Sequence, residues 1–269
     1  MIKADYHLHT SFSSDSEAPM ESMIRQAISL NLETICFTEH HDIDYPDNPD
    51  NFDFLVDLSS YKDRLFNLKE KYKDQIEINY GIELGLMPQT LDKCADFSLK
   101  DSFDFIIGSS HIIDNMDPYE PVYFETYPSK KGLEHYFEDI LHNVRNYKNY
   151  CVYGHLDYAA RYIKDQDFHF RFADYYDVLD AILKQIISDG KGIEVNTGGW
   201  KYGMANPNPH YEILQRYLEL GGEILTIGSD GHCPEHIAFD FHRLPEYLSS
   251  LGVRYYTIFR NQKPEFLKL

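Results

Sequence analysis

Short runs of β-branched and aromatic residues alternate along this chain with longer stretches of helical period, and few folds accommodate that rhythm. Strands are predicted near residues 3–8, 34–38, 76–82, 103–108, 150–154, 192–195, 223–227 and 254–259. Between them, apolar residues recur at spacings of three and four, as in Met20, Met23, Ile24 and Ala27, or Leu133, Phe137, Ile140 and Val144. Seven or eight strands separated by amphipathic helices make repeated βα units, which bury their apolar faces as a parallel sheet or barrel. Pro19 suits a first helical turn with Ser16 as its cap, and Gly190 and Gly221 suit helix ends. Two inserts, 42–53 and 114–131, are polar and proline-containing and read as loops that follow strands. With no repeat or low-complexity tract in 269 residues, residues 1–269 are expected to form a single domain.

What the predicted strands carry at their ends is chemically unusual. The first ends in His7-Leu8-His9, whose i, i+2 spacing places two imidazoles on one face of an extended chain. The second ends in Glu39-His40-His41-Asp42, the third in Glu83, the fourth in His111, the fifth in His155 and the seventh in Asp230-Gly231-His232. A parallel barrel or sheet gathers those ends onto one face. Carboxylates and imidazoles crowded together there would repel and desolvate one another at a cost of several kcal/mol, which cations between them remove. His7, His9, Asp15, His40, Glu83, His111, His155, Asp230 and His232 are therefore the candidate metal ligands. Nine are too many for one tetrahedral ion and suit two or three with a bridging carboxylate. The oxygen and nitrogen donor set, without thiolates, points to zinc, iron or manganese in hydrolytic use.

Composition narrows the function classes. The formal charge of −19, from 44 acidic against 25 basic residues, argues against a nucleic-acid partner, whose binding rests on Lys and Arg neutralising phosphates. No apolar run is long enough to span a bilayer, and Met1 is followed by a polar segment in place of a signal-peptide core, so no membrane partner and a cytoplasmic location are expected. Cys36, Cys94, Cys151 and Cys233 lack metal-binding spacing and are expected as reduced thiols.

In order and type, His7-x-His9, Asp15, Glu39-His40, Glu83, His111, His155 and Asp230-x-His232 resemble the polymerase and histidinol phosphatase (PHP) superfamily, in particular its stand-alone histidinol-phosphate phosphatases. The resemblance runs from residue 7 to residue 232 and fills every ligand position. It implies a distorted (β/α)7, TIM-like barrel with three divalent metal ions, zinc with iron or manganese, at the C-terminal ends of the strands. Carried over by position, His7, His9, Glu83 and Asp230 would hold one ion. Glu83, His111 and His155 would hold a second, and Asp15, His40 and His232 a third. The implied activity is hydrolysis of L-histidinol phosphate in histidine biosynthesis, by attack of a metal-bridging hydroxide on phosphorus. A phosphotyrosine protein or single-stranded nucleic acid as substrate, or a non-catalytic metal-binding module, are the alternatives.

Around these ligands, further residues suit a small phosphate monoester. Arg161 follows the His155 strand end and offers a bidentate grip on phosphate, the competing reading being an ion pair with Asp157 or Asp165. His41, Lys201 and Asn196 are weaker candidates for substrate contact, and Asp230 for collecting the proton of the attacking group, which makes Asp230 and Arg161 the catalytic candidates. The acidic loops (Asp42, Asp44, Asp47, Asp114, Asp117, Glu120) and the rings of Tyr45, Tyr119, Tyr123 or Trp200 are candidates for the organic part. His135, His142, His169, His210, His236 and His242 lie away from strand ends and are expected in surface or packing roles.

Overall fold

The computed structural model of the protein describes residues 2–49 and 52–269; Asp50 and Asn51, within the predicted 42–53 loop, lie outside the described residues. Seven parallel strands follow one another in sequence order: β1 (Ala4–Leu8), β2 (Thr34–Asp42), β3 (Glu77–Gly85), β4 (Phe105–Ser109), β5 (Val152–Tyr153), β6 (Gly192–Asn196) and β7 (Leu225–Gly228). The sheet curls until its ends meet. Past β7, Gly231 pairs in parallel with Leu8, the His9 amide donating to the Gly231 carbonyl at 2.9 Å and the Gly231 amide to the His7 carbonyl at 3.3 Å. The result is a nearly closed (β/α)7 barrel of the α/β class, as the strand–helix rhythm and the resemblance lead one to expect.

Helices Met20–Ser29, Leu58–Tyr72, Leu91–Ser98, Ser129–Asn146, Tyr176–Ser188 and Tyr211–Glu219 form the outer layer. Their apolar stripes are buried, as with Met20, Met23, Ile24 and Ala27, or Leu179, Ile182, Leu183 and Ile186. Gly190 and Gly221 follow two of these helices at φ of +67° and +85°, a conformation that glycine adopts without penalty.

Three local expectations change. Ser16 does not cap the first helix: Pro19 occupies that position, and the Ser16 hydroxyl, three residues earlier, donates to the His232 carbonyl at 2.7 Å. The 114–131 insert is not all loop, since Pro121–Thr126 is helical with proline in its first turn and the next helix starts at Ser129. The eighth predicted strand exists as β8 (Tyr255–Arg260) but lies outside the barrel sheet, pairing antiparallel with β9 (Lys263–Lys268). Asn261 and Gln262, at φ of +49° and +58°, make the two-residue turn between them. The hairpin covers the N-terminal end of the barrel, where the Thr257 hydroxyl accepts from the Leu225 amide at 3.1 Å and the Phe259 carbonyl from the Tyr6 hydroxyl at 3.0 Å. Cys36, Cys94 and Cys151 are buried and unpaired. Among the described residues no helix is long and apolar enough to cross a membrane.

One half-buried carboxyl in the helical layer makes stability pH-dependent. Asp139 accepts from the Asn143 side chain at 3.1 Å, and burial pushes its pKa up from 3.8 to about 7. Between those values the folded state holds a proton that the unfolded state has released, so stability falls as pH rises and stays low above the upper value. Asp139→Asn keeps the acceptor oxygen and should stabilise the protein by about 1–2 kcal/mol at roughly pH 8, the gain vanishing below about pH 4, as thermal melts at the two pH values would show.

Candidate metal centre and phosphate pocket

Alternation along each strand decides which side chains reach the barrel mouth. On β2, Thr38, His40 and Asp42 point inward, whereas Glu39 and His41 point toward the surrounding layer. The parallel register sets His40 beside Glu83 of β3. At the end of β1, the pairing with β2 shifts between Asp5 and Leu8, the stretch that carries His7 and leads into His9, and the two rings have centroids 5.1 Å apart. Beyond β7 the chain turns through Asp230 at φ +55°, a left-handed conformation that aspartate tolerates better than most residues.

Glu83, wholly buried, stands at the centre. Its Oε1 faces His155 Nε2 at 3.0 Å and His111 Nε2 at 3.3 Å; its Oε2 faces His7 Nε2 at 3.1 Å, His40 Nδ1 at 3.1 Å and His9 Nε2 at 3.4 Å. Asp230 Oδ1 lies 3.8 Å from His9 Nε2 and 4.0 Å from His7 Nε2. Asp15 Oδ2 lies 3.0 Å from His232 Nε2 and 3.6 Å from His40 Nε2. All nine candidate ligands thus converge on one region, and its donor atoms form several overlapping groups able to hold an ion, such as His7, His9 and Asp230 or His7, Glu83 and His155.

The donors fit metal better than they fit one another. His7 Nε2, His9 Nε2 and His40 Nδ1 are buried without a hydrogen-bond partner, although each lies within 3.5 Å of Glu83 Oε2, which is likewise unpartnered. Leaving such an atom unsatisfied costs about 1–3 kcal/mol, so a cluster of them needs a cation to accept their lone pairs. Electrostatics agree. Burial, then the neighbouring His40 and His232, holds His9 well below the usual imidazole range, so its lone pair is free. Burial opposes ionisation of Glu83, but His7, His111 and His40 outweigh it and hold the carboxyl well below its usual range.

A second ring of carboxylates orients the imidazoles. His7 Nδ1 lies 2.6 Å from Glu194 Oε1, and His111 Nδ1 lies 2.6 Å from Asp42 Oδ2. Glu194 Oε2 also accepts from the His155 amide at 2.9 Å and from the Asn196 side chain at 3.0 Å. Glu39 binds the Thr10 and Ser13 hydroxyls, both at 2.6 Å, and Ser13 in turn lies 3.2 Å from His9 Nδ1. Gly228 leaves the room this requires, because a Cβ there would stand 2.3 Å from Glu194 Oε1 and 2.4 Å from His7 Cβ. Glu194 escapes sequence reading because it sits two residues before a strand end; the signal available was a lone carboxylate in an otherwise apolar buried strand. Glu194→Gln should lower metal affinity about 10–100-fold with little loss of fold, measurable by metal titration of stripped protein.

Next to the cluster a pocket of about 530 Å³ opens to solvent. Arg161 and Lys201 line it, while His41 and Asn196 do not. Arg161 reaches over the centre, donating from Nη1 to Asp230 Oδ2 at 2.9 Å, from Nε to Asn208 Oδ1 at 2.7 Å and from Nη2 to Asn196 Oδ1 at 3.1 Å. The ion pair with Asp157 or Asp165 is therefore not the one it makes; Asp157 instead accepts from the Asn208 side chain and the His210 amide. Gly198 makes space for the guanidinium, since a Cβ would lie 2.8 Å from Arg161 Nη2. Lys201 Nζ donates to the Asp230 carbonyl at 2.6 Å.

Asn196 is fully buried behind Arg161 and holds it in place without facing the pocket. His41 points outward on β2 and stacks on Phe97 with centroids 3.5 Å apart, so it packs against the helical layer. Of the remaining histidines, His236 lines the pocket, contrary to the surface or packing role expected of it. Among the loop candidates, Asp42, Asp117, Glu120, Tyr45 and Tyr119 line the pocket, Asp42 being engaged by His111, but Tyr123 and Trp200 are packed in the core.

Comparison with known proteins places this geometry. The model of the PHP domain family matches residues 5–198. The histidinol-phosphatase of Lactococcus lactis subsp. lactis is 32% identical over 265 residues, covering 98% of this chain and 96% of the relative. A probable histidinol-phosphatase of Clostridium acetobutylicum is 33% identical over 239 residues, covering 88% of this chain and 89% of its own length. The crystal structure of the Lactococcus lactis histidinol phosphate phosphatase, complexed with zinc, L-histidinol and phosphate, superposes with a TM-score of 0.88 at 30% identity over 98% of both chains. The chain belongs to the PHP domain family.

Proposed function

We propose that this protein is a metal-dependent phosphatase that hydrolyses L-histidinol phosphate to L-histidinol and inorganic phosphate. The observation that carries the reading is Glu83, each of whose oxygens faces a separate set of imidazoles beside a pocket edged by Arg161 and Lys201. The names of the full-length relatives and the histidinol and phosphate in the solved one support the substrate. The proposed ligands are His7, His9, Glu83 and Asp230 for a first divalent ion, Glu83, His111 and His155 for a second, and Asp15, His40 and His232 for a third, with zinc joined by iron or manganese. When bound, such ions lower the pKa of water and neutralise phosphoryl charge.

The chain's own groups supply the rest. Arg161 keeps N–H groups beyond its three contacts for non-bridging phosphate oxygens, and Lys201 adds a second positive charge on the same wall. The Tyr158 and Tyr202 rings, 5.3 and 5.2 Å from the guanidinium carbon, hold its plane and exclude water. Asp230 bridges the two halves of the site, one oxygen toward His7 and His9 and the other on Arg161, and is placed to take a proton from the attacking water. Asp230→Asn should retain the fold and lose most turnover; full metal content with full turnover would contradict that role. We assign the protein as a one-domain cytoplasmic enzyme of amino-acid synthesis.

The test is a substrate panel on metal-replete protein: histidinol phosphate, phenyl phosphate, a phosphotyrosine peptide and single-stranded DNA. The kcat/KM for histidinol phosphate should exceed the others by at least about tenfold. No advantage over phenyl phosphate would overturn the substrate assignment.

A further inference from the structure

We propose that Asp117, supported by Glu120, selects the organic end of the substrate by receiving a positively charged N–H group. The inference rests on the phosphatase reading above and identifies what reads the leaving alcohol.

The pocket has two chemically opposite ends. At one lie the histidine cluster, Arg161 and Lys201; at the other, on the loop after β4, lie Asp117 and Glu120 among aromatic rings. Asp117 Oδ2 accepts from the Tyr45 hydroxyl at 2.7 Å, and its Oδ1 from the Tyr119 amide at 2.7 Å and the Tyr158 hydroxyl at 3.4 Å. All three donors are neutral, so hydrogen bonds fix the carboxylate while its charge stays uncompensated. Burial pushes its pKa upward against the lowering by these hydrogen bonds and by the more distant His111, and among the described residues no Lys or Arg pairs with it.

Tyr158 joins the two ends. Its ring lies 5.1 Å from that of His155 and 5.5 Å from that of His111, and its hydroxyl points to Asp117. Across the pocket Tyr45 packs on Phe54 at 4.6 Å, and Phe54 on His40 at 5.2 Å. A ligand seated here passes between aromatic walls, with a cationic end for phosphate and an anionic end for the alcohol. A monoester carrying an ammonium or imidazolium satisfies both ends. A plain alkyl or aryl phosphate leaves Asp117 without a cation, and a polyanion meets the repulsion of Asp117 and Glu120.

Asp117→Asn tests this, because the amide oxygen still accepts from the Tyr119 amide and the shape is kept. Four monoesters are compared: histidinol phosphate, imidazolylpropyl phosphate without the ammonium, phenylalaninol phosphate without the imidazole, and phenyl phosphate. The variant should lose at least about 30-fold in kcat/KM for histidinol phosphate, mainly through KM, with phenyl phosphate within about threefold of wild type. It should also stop discriminating against one of the two analogues, which identifies the nitrogen read. Glu120→Gln should act in the same direction by about three- to tenfold. An equal fall on phenyl phosphate, or discrimination against both analogues left intact, would overturn the proposal. A wild-type enzyme with no preference for histidinol phosphate over phenyl phosphate would instead overturn the substrate assignment on which it rests.

Discussion

Glu83→Gln is expected to abolish turnover, by at least about 1,000-fold, and to leave the purified protein with less than the full complement of metal. Both carboxylate oxygens are engaged, Oε1 by His111 and His155 and Oε2 by His7, His9 and His40, with the Ser109 hydroxyl donating to Oε1 at 2.7 Å. An amide keeps the shape but replaces one of the two oxygen donors with an NH2 group, which cannot ligate a cation. The charge also disappears from a wholly buried position that positive neighbours hold ionised. Several kcal/mol of ion binding should go with it, at about 1.4 kcal/mol for each factor of ten. Elemental analysis beside a phosphate-release assay measures both effects; a Gln variant with wild-type metal content would mean that Glu83 is not shared between ions.

Arg161→Met should lower kcat by about 100- to 1,000-fold while metal content stays near that of the wild type. The guanidinium is almost inaccessible, at 2% side-chain exposure, and is the buried positive partner of Asp230. Removing one member of a buried pair costs about 3–5 kcal/mol because the other charge is left alone. Here that loss falls on Asp230 and on the phosphate wall together. Arg161→Lys should recover little, since a single ammonium cannot span Asp230, Asn196 and Asn208 as the planar fork does. Pre-steady-state phosphate release separates the effect on chemistry from one on product release. Near-normal kcat in the Lys variant would show that Arg161 contributes charge alone.

How far a sequence discloses such a site depends on whether its residues obey a periodicity. His7 and His9, His40, Glu83, His111 and His155 all lie at ends of strands whose apolar runs are unmistakable, and parallel strands bring like ends together. Their crowding was therefore legible without coordinates. Asp230 and His232 follow the seventh strand and were legible in the same way, whereas Asp15 sits on a loop away from any strand end and fits through motif resemblance. The orienting layer was not, because Asp42 and Glu194 act through hydrogen bonds between strands distant in sequence. His41 shows the converse error: adjacency to a ligand in sequence means the opposite face of a strand, and its ring lies against Phe97. Asn196 and Asn208 form a bed for Arg161 across 35 and 47 residues, a pairing that no local pattern encodes. The β8–β9 hairpin was half visible, since β9 is exposed along nearly its whole length and carries no apolar alternation to announce it.

Metal removal and return is the most direct test of the central claim. Protein stripped with a chelator should release no phosphate from histidinol phosphate. Adding back zinc or manganese should restore turnover in step with occupancy, reaching its maximum at about three ions per chain. Undiminished turnover in protein holding less than about a tenth of an ion per chain would contradict the account.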